Sequence, residues 1–347
     1  MRIIDLRSDT VTKPTPEMYE AMRNAPLGDD VFGDDPLPQE LERLAADKLG
    51  KEAALFVPSG TMGNLLAVLC HTQPGDGAIL EATSHTFVFE VGGIARIAGV
   101  LPHVVRGVRG FMAPSAIEEQ VCHGDLHRVR TSLLCIENTH NLAGGIALTP
   151  QQVETMASTA RHHGMAVHLD GARVFNAAVA LGVDVRALTR PVDSVMFCLS
   201  KGLGCPIGSV LCGPKEFIDK ARRQRKLLGG GLRQAGVVAA CGIVALNTMI
   251  DRLHEDHTHA RLLAERLSQI EGVQIDLSTV QTNMVYCRLP QKFQPETEVT
   301  FQRGDVVVKA VAITAEQVRF VTHKDISRED VERAGEVVAA SLQKSGD

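Results

Sequence analysis

Three stretches of this chain carry residues whose type and placement could do chemistry. The first is Cys198-Leu199-Ser200-Lys201-Gly202-Leu203-Gly204, an apolar run that ends in Ser-Lys and passes straight into a glycine-rich turn. A lysine at the end of a buried strand is pushed toward its neutral amine and can act as a Schiff-base nucleophile; it could equally be a solvated loop lysine. The second is His168-Leu169-Asp170-Gly171-Ala172-Arg173, again closing an apolar run. A carboxylate there could hold the protonated nitrogen of a pyridine ring and make that ring an electron sink. The plain alternative is an Asp–Arg ion pair that caps the next helix. The third is Pro58-Ser59-Gly60-Thr61-Met62-Gly63-Asn64, lying between a strand-like and a helix-like segment. Its small residues let backbone N–H groups and hydroxyls surround a phosphate at a helix N-terminus. It has neither the Walker-loop nor the G-x-G-x-x-G spacing.

Such residues need rigid elements behind them. From about residue 40 the chain alternates helical patterns with short apolar runs: Ala53–Val57, Ala78–Glu81, Thr131–Glu137, Met165–Asp170, Ser194–Ser200 and Ile207–Cys212. Strands alternating with helices imply crossover units and a mainly parallel sheet, and runs such as SLLCI, without polar alternation, fit strands covered on both faces. Thr149-Pro150-Gln151-Gln152 predicts a helix start with a capping box, and Gly50 a helix stop. Beyond Gly213-Pro214 the texture changes. Residues 214–227 and 232–269 look helical, strands are expected around 282–288 and 317–322, and a last amphipathic helix over 327–343. The expected fold is therefore α/β, a large domain over 1–250 followed by a smaller α+β domain over 251–347. Residues 289–316 fit no clear period.

Composition narrows the function. Thirty-six Lys and Arg against 41 Asp and Glu give a net charge of −5, which argues against broad binding to nucleic acid or an acidic membrane. Aromatic residues are 4% of the chain, with no Trp and 2 Tyr, so a stacking platform for bases or sugars is not expected. The eight cysteines form no C-x-x-C pair and read as reduced, buried thiols; with no signal-like or membrane-length apolar segment, a cytoplasmic protein is expected. His254-Glu255-Asp256-His257-Thr258-His259 lacks the H-E-x-x-H spacing, and no metal is expected there. The basic run Arg222, Arg223, Arg225 and Lys226 reads as anion attraction near a phosphate-bearing site.

Phosphate loop, strand-end Asp170 and strand-end Lys201 follow one another in the order expected of a pyridoxal phosphate enzyme with the aspartate aminotransferase-like fold. Over nearly its whole length the chain resembles the threonine aldolases of that fold. The resemblance is carried by IDLRSDTVTKPT (4–15), GDDVFGDDP (28–36), GKEAALFVPSGTMGN (50–64), ENTHN (137–141), HLDGARVFNA (168–177), CLSKGLGCPIGS (198–209), LGGGLRQAG (228–236), EDH (255–257), QTNM (281–284) and VRFVTHKD (318–325). It implies cleavage of L-threonine or L-allo-threonine to glycine and acetaldehyde, by retro-aldol Cα–Cβ cleavage on a Schiff base with the cofactor. Lys201 would hold pyridoxal 5'-phosphate, Asp170 its ring nitrogen, and Ser59, Gly60, Thr61 and Ser200 its phosphate, with Arg233 reaching that phosphate from a second subunit. His85 would stack on the ring. Arg173 and Arg319, helped by Ser8, would bind the amino-acid carboxylate, and His127 would lie near the substrate hydroxyl. The base could be His85, His127, or a water held by Glu90 or Lys226. The shared site implies a homo-oligomer, commonly a dimer of dimers. The other classes weighed are a β-eliminating lyase or decarboxylase on the same scaffold and a non-catalytic protein retaining the fold; intact Lys201, Asp170 and both arginines argue against the second.

Overall fold

The computed structural model describes residues 1–343. Strand β1 (Arg2–Asp5) opens the chain. The next seven are β2 (Ala53–Val57), β3 (Gly77–Glu81), β4 (Leu101–Val105), β5 (Thr131–Glu137), β6 (Ala166–Asp170), β7 (Ser194–Cys198) and β8 (Ser209–Gly213). They form one sheet in the order β2-β8-β7-β6-β5-β3-β4. Only β8 runs against its neighbours, so the sheet is mainly parallel. Every residue of β5 is buried, as its unbroken apolar run requires of a strand covered on both faces. Alternation still sorts the two faces: in β2, Ala54 and Phe56 enter one core while Leu55 and Val57 enter another.

The helices that cover this sheet begin and end where their sequences direct. In Pro150–His162 the Thr149 hydroxyl accepts the Gln152 N–H at 3.3 Å and the Gln152 side chain accepts the Thr149 N–H at 2.9 Å, completing the capping box. Helix Pro36–Leu49 stops at Gly50, which takes a left-handed φ of 64°. The helical stretch expected over 232–269 is two helices, Gly236–Thr248 and Leu253–Leu267. Among the described residues no single helix is long and apolar enough to cross a membrane.

The second sheet contains β9 (Met284–Arg288), β10 (Glu298–Arg303), β11 (Val306–Ala312) and β12 (Gln317–Val321), covered by the helices Leu253–Leu267 and Arg328–Gln343. Its order is β1-β11-β12-β9, with β10 also paired to β11. Residues 289–316, which show no clear period, thus contain a hairpin whose Val299 and Phe301 face the core. The domain division expected at about 250 also needs an amendment at the N-terminus. β12 pairs with β11 only at Val311 and Ala312, which leaves the edge at 306–309 open, and β1 fills it in parallel register from Arg2↔Val306 to Asp5↔Lys309. Ile4 and Leu6 thereby enter the small core.

The turn that carries Lys201 is held by one glycine. Gly208 has a φ of 104°, and its carbonyl accepts the N–H groups of Leu199 (3.0 Å) and Ser200 (3.3 Å). A Cβ at this position would lie 2.4 Å from the Phe56 ring. Left-handed strain and overpacking therefore act together, and Gly208→Ala should cost on the order of 2–4 kcal/mol. A urea-denaturation midpoint equal to that of the unmodified chain would contradict this account of the turn.

Candidate active site

Period-two alternation places His168 and Asp170 on the same face of β6. Helix Gly60–His71 crosses that face and presents Asn64, whose Oδ1 lies 3.1 Å from His168 Nε2 and whose amide donates to Asp170 Oδ2 at 2.8 Å. The Ala172 N–H donates to Asp170 Oδ1 at 3.1 Å. Burial lowers the His168 pKa to about 3, so this imidazole is neutral and carries an Nε2–H toward Asn64. Asp170 is 3% exposed, and among the described residues no Lys or Arg forms an ion pair with it.

At the same edge of the sheet, His85 opens the short helix His85–Val88. Its Nδ1 lies 2.9 Å from Glu90 Oε1, which also accepts from Asn64 at 2.8 Å. One polar atom each from His85, Glu90 and Asp170 falls within 4.8 Å of the others. Burial works against a charged His85, but the Glu90 hydrogen bond and the Asp170 charge outweigh it and raise the imidazole above its ordinary value. Burial likewise raises Glu90. With Nδ1 committed to Glu90, His85 offers Nε2.

Lys201 follows β7 through Ser200. Its carbonyl is clamped by the Thr12 hydroxyl (3.0 Å) and the Gly204 N–H (2.8 Å), which fixes the root of the side chain. Asp9, three residues before Thr12, is fully buried and takes Arg173 bidentately at 2.7 and 2.6 Å, with Asn283 at 3.2 Å. Burial alone would raise the Asp9 pKa; the charge and hydrogen bonds of Arg173, then the charge of Lys201, outweigh it and hold Asp9 far below the ordinary carboxylate range.

Arg173 spends Nε and one N–H of Nη2 on Asp9, which leaves its Nη1–Nη2 end free to fork a second carboxylate. Arg319, on β12, has capacity to spare as well. Its Nη1 donates to Asn141 Oδ1 (3.0 Å) and its Nη2 to the Arg7 carbonyl (3.1 Å), while its buried Nε has no partner. Ser8 lies beside Arg7 and accepts from Thr10, so its own O–H remains available to donate.

The stretch expected to bind phosphate is the start of a helix. Ser59 caps helix Gly60–His71 by accepting the Met62 N–H at 3.2 Å, and the first-turn N–H groups of Gly60 and Thr61 have no acceptor within the helix. Ser59 and Thr61 are exposed. Arg233 does not reach them within the chain: it pairs with Asp29 at 2.9 Å and lies over the Phe32 ring. In the basic run, Arg222 bonds Glu42 at 2.6 Å, and Arg225 bonds the Phe56 carbonyl at 2.7 Å and pairs with Asp30. In the His254–His259 run, Asp256 pairs with Arg252, and His257 contacts Asn176.

His127 is not brought to the cluster. It lies in an exposed turn that leads through Arg130 into the start of β5, whereas Glu137, at the other end of β5, pairs with Asp170. At about 3.3 Å per strand residue, β5 alone separates the two ends by roughly 20 Å. His127 could therefore meet an active site only in another copy of the chain. Conversely, the residues that tie the cluster together, Asn64, Asp9, Glu137 and Asn141, carried no individual role in the sequence, although all lie inside the motif stretches.

The donor set fits pyridoxal phosphate. A buried carboxylate with two neutral donors and no paired cation suits a protonated ring nitrogen, open N–H groups at a helix N-terminus suit a phosphate, and the unpartnered Nε of Arg319 suits a substrate carboxylate.

A family model for beta-eliminating lyases matches residues 5–290. Low-specificity L-threonine aldolase 1 of Arabidopsis thaliana is 44% identical over 342 residues, covering 95% of this chain and 94% of its own. The solved threonine aldolase of Leishmania major is similar in fold, with a TM-score of 0.81 at 19% identity, covering 97% of this chain and 99% of that one. A serine palmitoyltransferase solved with pyridoxal phosphate has a TM-score of 0.73 at 15% identity, covering 99% and 88%. The fold is thus that of the pyridoxal phosphate enzymes, and the chain belongs to the beta-eliminating lyase family, in its L-threonine aldolase branch.

Proposed function

We propose that this chain is a pyridoxal 5'-phosphate-dependent carbon–carbon lyase that cleaves L-threonine, L-allo-threonine and related β-hydroxy-α-amino acids to glycine and an aldehyde. The observation that carries the reading is the placement of Lys201 beyond β7, of a buried Asp170 at the end of β6 with no Lys or Arg paired to it, and of Arg319 on β12, which reaches across to Asn141 beyond β5. When bound, the cofactor supplies the electron sink for the Cα–Cβ bond. Lys201 supplies the amine that anchors it and returns a proton to the glycine carbon. Asp170 keeps the ring nitrogen protonated, and Ser59, Gly60, Thr61 and Ser200 receive the phosphate.

Arg319 and the Ser8 hydroxyl bind the substrate carboxylate, and their position sets which substituent of Cα stands across the ring. The His85 ring lies against the cofactor, and its Nε2 takes the β-hydroxyl proton, while Glu90 holds Nδ1. His127 serves only if a second copy supplies it. Arg173, held by Asp9 along its Nε–Nη2 side, offers its Nη1–Nη2 end to the same substrate carboxylate. The eight unpaired thiols support a reducing compartment, in line with a cytoplasmic enzyme.

A homo-oligomer, with a dimer of dimers as the expected arrangement, is supported by the state of the phosphate loop in the single chain. Ser59 and Thr61 are exposed, and Arg233 of the same chain is engaged by Asp29.

The reaction is tested by supplying cofactor with each threonine diastereomer and following acetaldehyde. Lys201→Ala should lower the rate at least a thousandfold and abolish borohydride trapping; no aldehyde from either diastereomer would refute the proposed reaction. Because Glu90 raises the His85 pKa, Glu90→Gln should move the acidic limb of the kcat/KM profile to lower pH, by about half a unit or more. An unmoved limb would exclude His85 as the titrating base. Site sharing makes a third prediction: Lys201→Ala and Arg233→Ala subunits, nearly inactive alone, should regain up to about a quarter of full activity when reassorted, because each mixed pair holds one intact site. No recovery after verified exchange would place Arg233 outside the partner's site.

A further inference from the structure

Behind the site lies a buried polar cluster to which neither the sequence motifs nor the proposed chemistry gives a task. Glu81 ends β3 and Glu137 ends β5, the neighbouring strand, and His140 lies beneath both, fully buried. His140 Nδ1 accepts the Ala143 N–H at 3.3 Å, which leaves Nε2–H directed at Glu81 (3.0 Å), with Glu137 at 3.8 Å. Glu81 is otherwise satisfied by the Thr83 N–H and hydroxyl and the Gly107 N–H. Glu137 is satisfied differently, by one backbone N–H at each oxygen.

Glu137 Oε2 accepts the backbone N–H of His85 at 2.7 Å, and Oε1 accepts the backbone N–H of Asn141 at 2.8 Å. The first contact fixes the start of the turn that presents the His85 ring. The second fixes the residue whose side-chain oxygen receives Arg319 at 3.0 Å. Glu137 is itself the register partner of Asp170 in the sheet. One carboxylate therefore references three groups to each other: the ring-facing histidine, the nitrogen-facing aspartate and the carboxylate-facing arginine.

We propose that Glu137 is a positioning residue that sets the spacing between His85 and Arg319 and so aligns the bound amino acid over the cofactor. The proposal rests on the aldolase reading and deepens it. The requirement for a carboxylate is stereochemical. Two inward-pointing N–H groups need two acceptor oxygens, and a glutamine offers one while opposing the other N–H with its own amide. His140 stands one layer behind, its Nε2 3.0 Å from Glu81 and 3.8 Å from Glu137 Oε2.

The test uses the holoenzyme, with two readouts: KM and kcat for L-allo-threonine, and the glycine dissociation constant from the change in cofactor absorbance. Glu137→Gln should lower kcat/KM about a hundredfold, as misplacement by an ångström does, with KM and glycine affinity both weakened at least tenfold. Asn141→Ala, which cuts only the arginine branch, should weaken glycine binding with little change in kcat. The two substitutions together should weaken it by less than the product of their separate effects. Glycine affinity within twofold of normal in Glu137→Gln, or effects that multiply in the double variant, would overturn the proposal. Should Glu137→Gln fail to fold, unchanged glycine affinity in Asn141→Ala would overturn it instead. An unmodified protein that forms no aldehyde and shows no absorbance change with glycine would refute the underlying aldolase reading, a different outcome from any of these.

Discussion

A carboxylate buried at the end of a strand between two helical layers needs positive charge near it, and among the described residues no Lys or Arg pairs with Asp170. An uncompensated buried charge costs several kcal/mol, on the order of what a whole domain has to spare. The structure lowers this cost with neutral donors, the Asn64 amide and the Ala172 N–H. His168 stands close by but is held neutral by burial, so it orients Asn64 without supplying a competing cation. A protonated pyridine nitrogen completes the balance, which makes cofactor binding and stability of this edge one and the same problem.

The second dependency is the N-terminal segment, which stitches the two domains into one site. β1 belongs to the small sheet, yet a few residues later Asp9 seizes Arg173 of the large domain and Asn283 of the small one, and Thr12 bonds the Lys201 carbonyl. A buried ion pair of this kind adds little net stability, while loss of one partner costs about 3–5 kcal/mol. Its value here is geometric. It holds the root of the lysine and, through Arg7, whose carbonyl receives Arg319, the carboxylate-binding end at fixed separation.

How much of this was legible in the sequence follows from what each signal depends on. Strand ends and helix starts are local, so the strand ends at Asp170 and before Lys201, the strand-to-helix turn at 58–64 and the Thr149 box could be read directly. Edge strands are weaker: β4 has only Val105 fully buried, and its residues carry no clear pattern. The β10–β11 hairpin was hidden because a short alternation such as Glu298-Val299-Thr300-Phe301 has meaning only once β11 is there to receive it. Pairings across the chain were not readable at all. Nothing in the composition of Ser8-Asp9-Thr10 says that Asp9 will take the fork of Arg173, because that bond joins residues 164 positions apart. His127 sits within motif-like sequence, yet only the topology of β5 shows that it faces away from its own chain's site.

Aromatic poverty, finally, excludes less than it suggests. Without tryptophan and with two tyrosines, the chain has few large rings to stack on a flat ligand, and Tyr286 is buried in holding the Asn141 carbonyl. The surface we propose for a flat cofactor is instead the His85 imidazole, one third exposed and tethered at Nδ1. An imidazole presents a planar face and, at its free nitrogen, a group that exchanges protons near neutral pH, which an indole or phenyl ring cannot do. Where the group that covers the ring must also move a proton beside it, histidine satisfies both requirements in one side chain, and a larger aromatic would forfeit the second.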